Sequence, residues 1–253
     1  MKGVVLAAGE GRRLRPLTEL LPKPLCPIAN RPLFDLALER IQSVTDQVAA
    51  NVHAHRELME DHLSALDVHV SIEAEGPLGT AGALGKLREW IAGDAVVVTN
   101  CDALTATELG ALVDGWDGER VRLLVAFDEV EPDFHGLWKY AGACLMPWSA
   151  VRDLPAEYGD LYALRWAPAE AEGTLELVPT HAAFVDCGTP ARYLGANLVA
   201  SGGESVIGEG AVVEGIVEES VVWPGAHVAR DERLRHAIRL FDGRTVQALP
   251  TTR

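Results

Sequence analysis

The chain of 253 residues is short of several things, and each shortage removes a class of protein. Cysteine occurs four times, as Cys26, Cys101, Cys144 and Cys187, far apart and never as C-x-x-C. That excludes a disulfide framework or a cysteine-built zinc site, and the expectation is reduced thiols in a cytoplasmic chain. Basic charge is scarce: 22 Lys and Arg stand against 37 Asp and Glu, for a formal net charge of −15. A nucleic-acid binder needs a broad basic surface and an anionic membrane attracts one, so both partners are excluded. No apolar run is long enough to span a bilayer. In the opening MKGVVLAAGEGRRL a short apolar run precedes the arginines, the reverse of a signal peptide's order.

What is present suits one sizeable soluble domain, with 48% hydrophobic and 23% charged residues. The charge is unevenly spread. Residues 1–31 hold six basic side chains (Lys2, Arg12, Arg13, Arg15, Lys23, Arg31) against only Glu10 and Glu19. One cationic segment in an acidic chain implies a local anion site.

Residues 3–8 read as a buried strand that ends in the turn Gly9-Glu10-Gly11. Pro16, Pro22, Pro24 and Pro27 forbid a long helix across 12–30. Strands at 48–52, 68–72, 95–99 and 121–127 then alternate with helical patterns from 32, over 57–66, over 79–90 and over 105–113. Such alternation predicts an α/β fold with a doubly wound, mostly parallel sheet, whose ligands sit at the carboxyl ends of the strands. After Ser201-Gly202-Gly203, small β-branched residues recur every six positions at Ile207 and Val213, and after a slip at Ile216, Val222, Val228 and Leu234. That is hexapeptide periodicity, the mark of a parallel β-helix of one to two coils; a Val-rich hairpin tail is the alternative. The boundaries drawn from composition are 1–200 and 204–253. Residues 231–240 read as a short amphipathic helix.

A strand feeding a glycine turn lets backbone N–H groups approach phosphate without an intervening Cβ. A dinucleotide fingerprint needs a third glycine at position 14, where Leu14 stands, so a dehydrogenase is a poor reading. Glycine amides followed by Arg12, Arg13, Arg15 and Lys23 suit a triphosphate better.

The stretch LAAGEGRRLRPLTELLPKPLCPIANRPL resembles the signature of the sugar-1-phosphate nucleotidyltransferases. Glu75-Gly76-Pro77-Leu78-Gly79-Thr80-Ala81-Gly82 resembles that family's base-recognition loop, Asn100-Cys101-Asp102 its metal-binding strand end, and Phe184-Val185-Asp186-Cys187-Gly188-Thr189-Pro190 its second metal motif, continued by RYLGAN at 192–197. The order along the chain is the family's. The resemblance implies a Rossmann-like, GT-A-like catalytic domain with a short left-handed β-helix-type tail; one to two coils are too few to stand alone, so the tail is expected to pack on the main domain or, in a homo-oligomer, on another subunit. It implies transfer of a nucleoside monophosphate from an NTP to a sugar-1-phosphate, with release of pyrophosphate and the help of Mg²⁺.

By the same resemblance Arg13, Lys23 and Asp102 are catalytic, Asp102 and Asp186 hold the metal, and Lys23 neutralises charge that builds in the transition state. Leu6, Ala7, Ala8, Gly9, Gly11 and Arg12, with Glu75, Gly79, Thr80 and Asn100, are the expected nucleotide contacts. The family's Glu-Lys-Pro motif is missing between 121 and 180; Lys139 is the only lysine there to replace it, and Ala141-Gly142-Ala143 resembles the sugar-contacting turn. Lys139 and Gly142 are therefore the expected sugar-phosphate contacts. The Pro-Leu-Gly-Thr-Ala-Gly loop is most similar to that of mannose-1-phosphate guanylyltransferases, which implies GTP. UTP with a muramic-acid-type phosphate and CTP with a non-sugar phosphate stay open. A catalytically silent regulatory subunit of the same fold is the alternative of another class, although Lys23 and both aspartates stand. His53 and His55 lack a further ligand at metal spacing and read as polar packing.

Overall fold

The computed structural model describes residues 1–251, and contacts divide them into two compact units. The first contains residues 1–9, 37–101 and 106–184; the second contains 10–36, 102–105 and everything from 185 onward. By compactness the seam thus runs elsewhere than the 1–200 and 204–253 boundary drawn from composition, because residues 10–36 cluster with the tail.

The first unit is built on a seven-stranded sheet in the order Leu175–Pro179, Val121–Phe127, Trp138–Met146, Val96–Asn100, Lys2–Leu6, Val48–Val52, His69–Ile72. Every pairing is parallel except those of Trp138–Met146, which runs antiparallel to both neighbours. The sheet is therefore mixed. The reason is local: the connection from Phe127 to Trp138 is too short for a helical crossover, and two strands so joined form a hairpin. Alternation puts Val4, Val96, Val98, Cys144 and Met146 on one face, where they are buried against Ala81, Leu84, Leu87 and Ile91 of the helix Gly79–Ile91. The helix Leu33–Gln42 lends Ile41 to the opposite side, flush against Gly3.

The Gly79–Ile91 helix carries Gly79, Gly82 and Gly85 on one stripe, and segment 154–160 lies directly on it. A Cβ at Gly82 would overlap the Glu157 carbonyl oxygen, and one at Gly85 the Pro155 carbonyl oxygen. The expected helix at 105–113 is instead a strand, Ala103–Thr105, and after a break a single turn, Gly110–Val113.

In the second unit the prolines limit residues 12–25 to three 3₁₀ turns, Arg12–Leu14, Leu17–Glu19 and Lys23–Leu25. The small hairpin Pro27–Ile28 with Arg31–Pro32 follows. The helix Pro190–Ala200 opens with Thr189 as its cap, the Thr189 hydroxyl accepting from the Arg192 N–H, and with proline in its first turn. The tail then stacks short strands in parallel: Val206 on Val221, Val212 on His227, Ile216 on Arg233, and Val221 on Ile238. Val222, Val228 and Leu234 are buried, as the six-residue period predicts, whereas Ile207, Val213 and Ile216 are exposed at 39%, 37% and 51%. The expected helix at 231–240 is corrected to two strands, Arg233–Arg235 and Ala237–Arg239, because parallel pairing to the strands Ile216–Glu218 and Val221–Val222 satisfies its backbone and overrides a helix-like apolar spacing. The inner face of the tail (Val206, Val221, Trp223, Ile238, Leu240) closes one core with Leu14, Leu17, Cys26, Ile28, Val185, Cys187 and Tyr193.

Two outcomes follow from this packing. Gly82→Ala should cost about 1–3 kcal/mol, the usual range for overpacking against fixed backbone, seen as a lower melting temperature; an unchanged melt overturns the flush contact. All four cysteines are buried thiols outside any disulfide, and burial pushes the thiols of Cys26, Cys144 and Cys187 up to about 12. A thiol reagent at neutral pH should therefore label the native chain negligibly and the denatured chain four times.

Candidate functional site

The charged residues that the sequence singles out meet in the second unit. Lys23 sits in the turn after Pro22, its side chain only 10% exposed. Its ammonium lies 3.3 Å from Asp102 Oδ2 and 3.8 Å from Asp186 Oδ1. The two aspartates reach it from neighbouring backbone: Ala103–Thr105 and Phe184–Asp186 form a two-stranded ladder, and the Cys187 N–H donates to the Asp102 carbonyl at 2.9 Å. Asp186 is also paired with Arg192, one turn into the following helix. A Cβ at Gly188 would stand 2.8 Å from Asp186 Oδ1 and 2.9 Å from Arg13 Nη2, so glycine is what lets Arg13 come alongside. Three cations thus surround two carboxylates. Arg12, by contrast, is exposed and paired with Glu10.

Gly11 adopts φ of +61°, and a Cβ there would press on Thr18 and on the Lys23 stem, so the turn requires glycine on two counts. The Thr18 hydroxyl donates to the Gly11 carbonyl at 2.9 Å and closes the loop.

Apart from Gly11, the uncharged contacts expected for a nucleotide belong to the first unit. Leu6 is in register with Asn51 on one side and Asn100 on the other, which aligns three carboxyl-terminal strand ends. Ala7 and Ala8 are buried, and nothing crowds Gly9. The Ala7 N–H is not free: it donates to Asn51 Oδ1 at 2.8 Å. Asn51 in turn donates to Glu73 Oε1 at 2.8 Å, and Glu73 Oε2 accepts the Leu78 N–H at 2.7 Å. Glu73 is 2% exposed, so this buried carboxylate fastens the strand-end loop to the Gly76–Gly79 loop. Glu75 is exposed. Gly79 (φ +70°) lies against the Gly159 carbonyl, and the Thr80 hydroxyl accepts the Leu161 N–H at 2.8 Å; both serve the 154–161 segment.

Lys139 and Gly142 also lie in this unit. Lys139 lines a cavity of about 310 Å³ with Phe127, Asp128, Tyr140, Thr180, His181 and Phe184. Its ammonium lies 3.7 Å from Asp128 and 3.3 Å from Glu131. Gly142 has φ of +76°, close to the irregular register between Trp138–Met146 and Val121–Phe127, with the Phe184 ring beside it. His53 contacts the Glu73 carbonyl through Nδ1 at 2.7 Å, a packing role.

Arg192, Asn51 and Glu73 were not among the expected site residues. Arg192 stands in the RYLGAN continuation of the second metal motif, six residues after Asp186; that spacing was its only signal. Asn51 and Glu73 gave none, since their partners are set by strand register.

Residues 2–133 match the nucleotidyl transferase family. The N-acetylmuramate alpha-1-phosphate uridylyltransferase of Caulobacter vibrioides is 34% identical over 146 residues, 52% of this chain and 60% of that protein. The mannose-1-phosphate guanyltransferase of Hypocrea jecorina is 44% identical over 101 residues, 37% of this chain and 27% of that protein. The chain thus matches 60% or less of the length of these curated relatives. Among solved structures, HddC from Yersinia pseudotuberculosis superposes with a TM-score of 0.65 at 19% identity, over 79% of this chain and 99% of that one. UDP-glucose pyrophosphorylase from Acinetobacter baumanii gives 0.63 at 16% identity, over 78% and 92%. At these identities the likeness is one of fold, a mixed-sheet α/β Rossmann-like core. With its family match covering more than half of the sequence, the chain belongs to the nucleotidyl transferase family.

Proposed function

We propose that the chain transfers a nucleoside monophosphate from an NTP to a sugar-1-phosphate. A phosphate oxygen of the acceptor attacks the α-phosphorus, the bond between that phosphorus and the α–β bridging oxygen breaks, and pyrophosphate leaves. The observation that carries this reading is the Lys23 ammonium held between Asp102 and Asp186 with Arg13 and Arg192 alongside. Joining two anions and expelling a third is mainly a matter of positioning and charge neutralisation, and fixed cations supply it. Lys23 is assigned to the α-phosphate and the attacking oxygen, and Arg13 to the β- and γ-phosphates.

The residues present fit a divalent cation of the Mg²⁺ type. Asp102 and Asp186 offer oxygen donors only, both partly open to solvent, and no third ligating side chain joins them among the described residues. That is the donor set of an ion that keeps water and takes phosphate oxygens, as Mg²⁺ does. When bound, it would neutralise charge on the leaving pyrophosphate. Lys23 and Arg192 hold the two carboxylates that would ligate such an ion.

The nucleoside is assigned to the strand ends at Leu6–Gly9 and Asn100 and to the 75–80 loop, with Glu73 and Asn51 fixing the loops. The acceptor is assigned to the cavity of Lys139, which substitutes for the missing motif lysine, with Gly142 nearby. GTP with an aldose-1-phosphate is the reading that the Pro-Leu-Gly-Thr-Ala-Gly loop supports, and the Hypocrea jecorina relative bears a matching name. UTP with a muramic-acid-type phosphate is the second reading; two relatives are named N-acetylmuramate alpha-1-phosphate uridylyltransferase, one of them matched over 60% of its length. The tail is read as a left-handed β-helix-type appendage, and its exposed Ile207, Val212 and Ile216 are the face we assign to a homo-oligomer.

A pyrophosphate-release screen of four NTPs against a panel of sugar-1-phosphates, with and without Mg²⁺, should give turnover with one pair and only with metal. Silence across the grid overturns the transferase reading. With the active pair, Lys23→Gln and Asp102→Asn should each lower kcat roughly 10²–10³-fold, the usual loss for one preorganised charge contact; near-wild-type rates in both sink the assignment. Glu73→Leu should strand the Asn51 amide and the Leu78 N–H, costing about 1–3 kcal/mol for each buried group left unpaired. A calorimetric melt equal to wild type contradicts the network.

A further inference from the structure

We propose that Trp223, in the tail, is a positioning residue for Lys23. The proposal rests on the reading of Lys23 given above. Lys23 heads a 3₁₀ turn that ends at Cys26, whose N–H donates to the Lys23 carbonyl at 3.1 Å. The Pro27–Ile28 hairpin that follows is gripped from behind by two polar side chains one helical turn apart, both fully buried. Tyr193 donates its hydroxyl hydrogen to the Pro27 carbonyl, and Asn197 Oδ1 accepts the Ala29 N–H at 3.0 Å. A phenol has one hydrogen to give, so the lone pairs of Tyr193 need a donor from elsewhere. Trp223 provides it: its indole N–H donates to the Tyr193 oxygen at 3.0 Å, and Trp223 has no exposed surface. Burial pushes the Tyr193 phenol well up from its ordinary range, which keeps that hydrogen on the oxygen.

The helix that carries Tyr193 also carries Arg192, whose side chain pairs with Asp186, the second carboxylate on Lys23. One rigid element therefore fixes the lysine's backbone through Pro27 and one of its counter-charges through Arg192. The tail touches the same hairpin again, since Asn30 donates to the Ile207 carbonyl at 2.8 Å. A tail that served only to cover the apolar core would need the indole ring but not its N–H. Instead the only polar atom of the side chain is committed to this chain of hydrogen bonds.

The experiment compares Trp223→Phe and Tyr193→Phe with Phe241→Leu. Phe241 lies tilted against the Trp223 ring, centroids 5.8 Å apart, but takes no part in the relay, so it reports loss of tail packing alone. The first readout is independent of turnover. The four lysines are Lys2, Lys23, Lys86 and Lys139, and Lys86 is exposed. Limited acylation with an amine-reactive ester, followed by peptide mass spectrometry, gives the labelling rate of Lys23 relative to Lys86. That ratio should rise about fivefold or more in Trp223→Phe and Tyr193→Phe and stay at the wild-type value in Phe241→Leu.

The second readout is kinetic. With the active substrate pair, both relay variants should lose about fivefold to tenfold in kcat with KM for the NTP within about twofold, as for a misplaced rather than a missing group. The double variant should lose no more than Tyr193→Phe alone, because both act through one oxygen. Should Trp223→Phe unfold, Tyr193→Phe carries the test by itself, since it removes a single oxygen. An unchanged Lys23 labelling ratio in the folded relay variants overturns the proposal, as does an equal change in Phe241→Leu. If the wild type turns over no substrate pair, the functional reading fails while the labelling ratio still decides the coupling.

Discussion

An ammonium that is nine-tenths buried needs counter-charge close at hand, because moving an ion out of water costs several kcal/mol that only near partners offset. For Lys23 those partners are Asp102 and Asp186, and much of the second unit exists to bring them to it. Asp102 immediately precedes one strand and Asp186 ends another, both too short to be stable by themselves and joined by a ladder and by the Cys187 N–H to Asp102 carbonyl bond. The lysine lies in a single turn bracketed by prolines. None of these pieces has a core of its own. They share the one closed by Leu14, Leu17, Tyr193 and the inner face of the tail, so the charge centre stands on packing supplied from the far end of the sequence.

The balance of charge inside this centre explains why it holds together before any ligand arrives. Arg13, Lys23 and Arg192 outnumber the carboxylates of Asp102 and Asp186, leaving a local excess of positive charge within a chain whose net charge is −15. Such a cluster attracts a polyanion over short range, while the acidic remainder repels nucleic acid and other extended anions at longer range. Screening at physiological salt weakens the longer-range effect beyond about 8 Å. On the function we propose, selectivity for a small phosphate ligand is therefore a property of how charge is distributed and not of its total.

How much of this was legible in sequence depends on whether a residue's role is local. Gly11, with its left-handed φ, and Lys23, held between prolines, could be read from neighbouring residues because the turn itself demands them. Asp102 and Asp186 could be read because each closes a short motif. Asn51 and Glu73 could not, since a mid-chain asparagine and glutamate say nothing of the strand register that sets them against Ala7 and Leu78. Thr80 lies in a readable motif, yet its hydroxyl serves Leu161, a partner eighty-one positions away. The tail shows the same limit from another side. Residues 231–240 have an apolar spacing that a helix could use, but parallel pairing of Leu234 with Val217 and of Ile238 with Val221 decides the matter. Periodicity reports which faces are apolar and leaves open which partner will cover them.

The two kinds of recognition draw on different physics and on different stretches of chain. At the carboxyl-terminal ends of the strands, Ala7, Asn51, Glu73 and Leu78 form a network of amide donors around one buried carboxylate. Such a network resists change, since altering one member strands the others. On the function we propose, the residues assigned to phosphate work by fixed charge, which tolerates small shifts in ligand but not in the lysine itself. On the same proposal, exchange of side chains at exposed positions such as Glu75, which the network does not use, would retune the base without disturbing the chemistry at phosphorus. Exchange within the grip on Pro27 should do the opposite, leaving the base unchanged and moving the charge.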